Sequence, residues 1–167
     1  MPVIRHARRD EVGSLTAIGL RAWEGAVVGL ADVGRMRRLA ENAFADFLHN
    51  HWLAVTLIEV DGRARGWVAR ENFDEIISDL WIEPEAQGRG LGSHLLADIE
   101  HRISSDGFEA VKTKTHAQNT AAIGFFRKHG YGVSWLSTAY APKLDRDVEF
   151  IGLSKPLAAA DTGIYGR

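Results

Sequence analysis

Gln87-Gly88-Arg89-Gly90-Leu91-Gly92 lies between an apolar, strand-like stretch and an amphipathic, helix-like one. Glycine lets a backbone come close to a ligand, and a helix start presents unpaired N–H groups at the positive end of its dipole. A turn of this kind is an anion site suited to a pyrophosphate. A Walker loop would need Gly-Lys-Ser/Thr, which is absent. A dinucleotide fingerprint needs G-x-G-x-x-G, but Ser93 fills the third slot. Glu109, near the spacing of a ribose-binding acid, falls before the next strand and not at its end. Taken alone, the cluster equally suits a helix cap that uses glycine for close packing.

A second pattern follows. Asn119, Ala122, Phe125, Phe126, Gly130 and Tyr131 form N-x-x-A-x-x-F-F-x-x-x-G-Y. By itself this is a capped helix with one apolar face and a glycine stop. Other candidates are weaker. His49 and His51 have no third ligand at metal-site spacing, so no metal is expected. His94 and His101 fall on the polar face of a helix, and His116 precedes the second pattern, where it could face a reacting group. Arg35, Arg37 and Arg38 lie between Asp32 and Glu41 and read as a solvated helix face.

The elements that must position these residues follow from hydrophobic periodicity. Val3 to Arg5 reads as a strand. Asp10 or Ser14 caps a helix carrying Val12, Leu15, Ile18 and Trp23. Gly25 to Gly34 reads as a loop, and Val33 to Leu48 as a helix with Met36, Leu39, Ala40, Phe44 and Phe47 on one face. Trp52 to Val60 and Gly66 to Arg70 form a hairpin about Asp61-Gly62. Ile76 to Ile82 is a strand, and Gly90 to Ser104 a helix striped by Leu91, Leu95, Leu96, Ile99 and Ile103. Ala110 to Thr115 is a strand, Asn119 to His129 a helix, and Gly132 to Tyr140 and Val148 to Ser154 are the last strands. The order β-α-α-β-β-β-α-β-α-β-β makes an α/β fold, with helices covering a mixed sheet. Residues 1–156 form a single domain, and Leu157 to Arg167 reads as a flexible tail.

The two patterns together resemble the GNAT superfamily of N-acetyltransferases. That family's loop, Q/R-x-x-G-x-G/A, is matched by Gln87, Gly90 and Gly92, with Leu80-Trp81-Ile82 and Pro84 before it. Its second motif, N-x-x-A-x-x-F-Y-x-x-x-G-F/Y, is matched by Asn119, Ala122, Phe125, Gly130 and Tyr131. The resemblance implies a mostly antiparallel sheet with a splayed pair of central strands and acetyl-CoA as cosubstrate. The backbone of Leu80, Trp81 and Ile82 would pair with the pantetheine arm. The N–H groups of Gln87, Gly88, Arg89, Gly90, Leu91, Gly92 and Ser93 would hold the pyrophosphate, with Arg89 adding charge. Asn119 would reach the pantetheine or thioester end, Phe126 would pack along the arm, and Lys128 would approach the phosphates.

The implied reaction is direct attack of a primary amine on the thioester. A backbone N–H near Ile82 would stabilise the oxyanion, and a carboxylate would take the amine proton. Phe126 stands where many relatives have the tyrosine that protonates the leaving thiolate, and phenylalanine cannot. Tyr131 and Tyr140 are candidate substitutes. Asp79, Glu75 and Glu24 are candidate bases, although strand alternation sets Asp79 and Glu75 opposite Ile76 and Ser78. Trp23, Trp81 and Trp135 are candidate pocket walls. A rival reading is a module that binds or senses acyl-CoA without turning it over.

Composition narrows the classes further. The 167-residue chain is 46% hydrophobic and has a formal net charge of -2, so no global basic field draws in nucleic acid. With no cysteine, disulfides, thiolate metal sites and a cysteine nucleophile are excluded. No secretory pattern opens the chain and no stretch reaches the roughly 18 apolar residues of a membrane span. A cytoplasmic protein without a membrane partner is expected, and the resemblance adds an amine-bearing acceptor and a homodimer.

Overall fold

A computed structural model describes residues 1–27 and 33–158 of the chain. Its strands are β1 (Pro2–His6), β2 (Val55–Val60), β3 (Arg63–Ala69), β4 (Asp79–Ile82), β5 (Ala110–His116), β6 (Gly132–Ala141) and β7 (Arg146–Pro156). Its helices are α1 (Val12–Ala26), α2 (Val33–His51), α3 (Leu91–Ser105) and α4 (Thr120–Lys128). The element order matches the sequence reading. The loop expected over Gly25 to Gly34 is shorter, because α1 runs through Ala26 and α2 begins at Val33. Residues 28–32 of that loop, and residues 159–167 of the expected tail, lie outside the described residues.

Two antiparallel sheets make the scaffold, ordered β1-β2-β3-β4 and β5-β7-β6. Asp61 and Gly62 take positive φ values of 54° and 78°, the left-handed pair that a two-residue hairpin turn requires. That turn sets the β2–β3 register, broken by one irregularity at Ile58/Glu59. The sheets meet at a single parallel bridge, Ile76 to Lys112. Here the structure corrects the expectation of one strand from Ile76 to Ile82. Ile77 N donates to Lys112 O at 2.8 Å and Lys112 N to Glu75 O at 2.9 Å, so residues 75–77 belong with β5. From Asp79 onward the chain pairs with β3 instead, Asp79 opposite Ala69 and Ile82 opposite Gly66. One strand changes partner midway, and the central pair splays as a result. The buried Thr113 hydroxyl closes the vertex by donating to Ile77 O at 3.0 Å.

Each sheet face has its own core. On one side, Leu15, Trp23, Phe44, Leu48, Leu57 and Trp67 pack between the sheet and the α1–α2 pair. The Trp67 indole donates to Leu15 O at 3.0 Å, so this large buried ring leaves no polar atom unpaired. On the other side Leu95, Leu96, Ile99 and Ile103 of α3 pack against Ile58, Val68, Val111 and Leu153. The predicted stripe is therefore the buried one, and each such side chain contributes about 2 kcal/mol. Trp81 joins the first core while Leu80 and Ile82 join the second, as strand alternation demands.

Candidate active site

The open edge of β4 is the first component. Glu83 N donates to Arg65 O at 2.7 Å. Antiparallel alternation then turns the N–H and C=O groups of Leu80 and Ile82 away from β3 and into the splay. The Gln87 amide donates to Ile82 O at 3.2 Å, which agrees with that direction. The edge thus offers backbone donors and acceptors to an extended, amide-containing ligand.

The glycine loop continues from this edge. Gly88 and Gly90 have φ of +78° and +80°. Gly90 is the residue before the first turn of α3, and no side chain caps that helix. His94 N is the first to return, to Gly90 O, so the N–H groups of Leu91, Gly92 and Ser93 stay available to an anion. Ser93 Oγ lies 2.9 Å from His129 Nε2, which ties the start of α3 to the end of α4.

The start of α4 faces this loop. Asn119 Oδ1 accepts from Ala122 N at 3.1 Å, the expected cap, and its amide nitrogen donates to Thr115 Oγ1 at 3.4 Å. Phe126 is buried, edge-on to Phe125 and to Tyr131. The β4 edge, the glycine loop and α4 enclose a cleft of about 550 Å³. Every residue assigned from sequence to the cosubstrate lines it except Arg89, which is exposed on the loop. At its far end the cleft is walled by Ala22, Gly25 and Ala26 of α1, beside Trp81.

The residues proposed for proton transfer do not line this cleft. The Tyr131 hydroxyl donates to Glu100 Oε2 at 2.6 Å, and burial together with that carboxylate pushes its pKa well up. It is a core residue bound to α3 and not an acid facing the cleft. Tyr140 is exposed and donates to Asp145 at 2.6 Å. Glu24 is ion-paired with Arg37 at 2.7 Å. Asp79 shares the face of Trp81, whose indole donates to it at 3.0 Å. Burial raises the Asp79 pKa, and the nearby Lys143 ammonium partly opposes that. Of the tryptophans proposed as pocket walls, Trp81 alone lines the cleft; Trp23 is core, and Trp135 lies half-exposed over Gly152. Among the described residues no group of three or more side chains is placed to hold a metal ion.

Two features escaped the sequence reading. Glu83, just past β4, is buried and accepts from Nε and Nη2 of Arg21, at 2.5 and 2.6 Å. This pair fixes α1 to the end of β4, and so fixes the Ala22–Ala26 wall. The partners are 62 residues apart, and no local pattern announces them. The other is Lys143, in the β6–β7 turn, whose ammonium lies 4.6 Å from the Phe44 ring centre.

Residues 14–131 match the acetyltransferase (GNAT) family. The peptidyl-lysine N-acetyltransferase YjaB of Salmonella typhimurium is 29% identical over 131 residues, 78% of this chain and 83% of that protein. The mycothiol acetyltransferase of Nocardia farcinica is 40% identical over 60 residues, only 36% of this chain and 20% of that protein. Among solved structures, the PaiA N-acetyltransferase of Thermoplasma acidophilum in complex with coenzyme A superposes with a TM-score of 0.79 at 15% identity, covering 94% of this chain and 99% of that one. Apo YjaB from Escherichia coli superposes with a TM-score of 0.74 at 24% identity, over 92% and 97% of the two chains. With a splayed β4 edge, a glycine loop at a helix start and a family match spanning both, the chain belongs to the GNAT acetyltransferase family.

Proposed function

We propose that this chain acetylates the primary amine of a lysine side chain in a peptide or protein. Transfer of an acetyl group from acetyl-CoA to an amine is the activity of its family. The observation that carries the assignment here is the continuity of one cleft, from the bare helix start at Gly90 along the β4 edge to the α1 wall. The pyrophosphate rests on the Leu91 to Ser93 N–H groups, and the pantetheine amides pair with the Leu80 and Ile82 backbone. The thioester then lies near the vertex of the splay, where an N–H of the β4 edge faces the developing oxyanion.

The lysine acceptor rests on the name of the relative matched over most of both chains and on the small α1 wall, which leaves room for an extended side chain. A module that binds acyl-CoA without turnover is not favoured. We extend the reading to a cytoplasmic homodimer. β6 is an outer strand free of charged residues, and it exposes Val133, Trp135, Leu136 and Tyr140, the kind of edge that pairs with another copy. Among the described residues no helix is long and apolar enough to cross a membrane. Thiol release from acetyl-CoA tests the acceptor, with a blocked lysine peptide set against free amino acids and small polyamines. Preference for the peptide is expected, and turnover with small amines alone would reject the lysine assignment.

A further inference from the structure

Direct attack needs a group to take a proton from nitrogen and a group to give one to sulfur. Phe126 has no proton to give, and the hydroxyls of Tyr131 and Tyr140 are committed to Glu100 and Asp145. Other titratable groups gather on the α1–α2 side of the splay, opposite the side covered by α3 and α4.

On β5, Val111 belongs to the α3-side core, so alternation places Lys112, Lys114 and His116 on the other face. His116 stacks on Phe150 of the α1–α2 core, with ring centres 5.0 Å apart. Across the opening, β4 presents Asp79 and Trp81 on that same side. Lys143 closes the group, resting on Phe44, whose ring centre is 5.2 Å from that of Trp81. The two strands that part to admit a thioester therefore carry His116 on one lip and Asp79 with Trp81 on the other. His116 is half-buried, and among the described residues no hydrogen bond occupies either of its ring nitrogens. Its backbone carbonyl accepts from Asn119 N at 3.0 Å, which fixes it beside the cleft-lining Asn119.

The geometry points to His116 as the proton shuttle of the transfer, taking a proton from the attacking amine and returning it to the departing thiolate. The inference rests on the acetyl-transfer reading above. The amine lone pair forms the N–C bond to the thioester carbon, and the N–H proton, made acidic by that bond, moves to a free ring nitrogen. The C–S bond breaks with its electron pair on sulfur, and the imidazolium proton passes to the thiolate. The products are the amide, CoA thiol and neutral His116. One residue thereby replaces an acid and a base. The surroundings favour this role. Burial comes first, then the cations of Lys143, Arg146 and Lys114, from the β6–β7 turn, β7 and β5 itself, and together they hold the imidazole pKa below its usual range. Asp79 is the carboxylate whose charge falls on Lys143, and Glu71 acts in turn on Asp79. His116 is then a neutral acceptor at pH 7.

The test combines a proton-NMR titration of the full chain, with and without acetyl-CoA, and the pH dependence of kcat/KM on the lysine peptide for wild type, His116→Gln and Asp79→Asn. His116 should titrate below the ordinary histidine value of about 6.5, and its ring signals should move when acetyl-CoA is added. His116→Gln should lose about a hundredfold to ten-thousandfold in kcat/KM, lose the acidic limb of the profile, and keep its affinity for acetyl-CoA. Ring signals that ignore acetyl-CoA overturn the proposal, as does a His116→Gln enzyme at wild-type rate. Loss of the limb in Asp79→Asn alone would move the role to Asp79. If the wild type transfers to no amine, the acetyl-transfer reading fails, while the ring titration still decides whether His116 faces the thioester.

Discussion

The two sides of the β4–β5 opening are built from different materials. On the α3–α4 side, the contacts offered to a ligand are mostly main chain: the Leu80 and Ile82 edge, the Gly88–Gly90 turn and the free N–H groups at the start of α3. On the α1–α2 side the opening is bordered by side chains from separate elements, Trp81 and Asp79 from β4, His116 from β5 and Lys143 from a turn, backed by the buried rings of Phe44 from α2 and Phe150 from β7. Main-chain recognition suits a ligand that stays the same, because it depends on backbone shape alone. Side-chain recognition suits an acceptor that differs between relatives, because it changes without disturbing the sheet.

Breaking the main-chain side should have the largest effect. Gly90→Glu forces a side chain into a backbone position at φ +80° and sets a negative charge at the start of α3. Acetyl-CoA affinity should fall more than about a hundredfold by calorimetry, a loss of about 2.8 kcal/mol or more of binding free energy. A Gly90→Glu protein with unchanged affinity would mean the pyrophosphate lies elsewhere. Next comes the pair that joins the two sides. Arg21→Ala leaves the Glu83 carboxylate buried without its partner. Because Arg21 is half-exposed, the loss should be about 1–2 kcal/mol in denaturant unfolding, with acceptor KM raised more than acetyl-CoA affinity is lowered. Equal changes in both would remove the distinction between the two sides.

Smaller effects sharpen the comparison. Asn119→Ala removes the α4 cap and should cost about 1 kcal/mol. Asp79→Asn should leave the melting temperature unchanged or raise it slightly. Burial raises the Asp79 pKa, so the folded chain holds this proton more tightly than the unfolded one. Stability from this group is therefore greatest at low pH, and falls as pH rises from the unfolded aspartate value through the raised folded one. Asparagine removes the buried charge and can still accept from the Trp81 indole. A clear drop in melting temperature at neutral pH would show that the ionised carboxylate is held more favourably than its burial implies.

The same contrast explains what the sequence disclosed. Gly88 and Gly90 were legible because the chain needs glycine where the backbone turns left-handed, and Asn119 because a helix start needs a cap. The α3 stripe was legible from periodicity, and Leu91, Leu95, Leu96, Ile99 and Ile103 are all buried. The change of partner at Ser78 was not, since Ile76 to Ile82 reads as one strand whichever neighbour it pairs with. Nor was the Arg21–Glu83 clamp, where neither residue belongs to a local pattern. His116 and Lys143 come together only because the β6–β7 hairpin folds back over the end of β5, and residue spacing says nothing about that.

The central claim is that the cleft along β4 and the glycine loop is an acetyl-CoA site. Calorimetric titration of the purified chain with acetyl-CoA, using NADH and ATP as controls, tests it most directly. Micromolar binding of acetyl-CoA, with neither control competing, is the predicted result. Tighter binding of NADH or ATP, with no heat from acetyl-CoA, would contradict it.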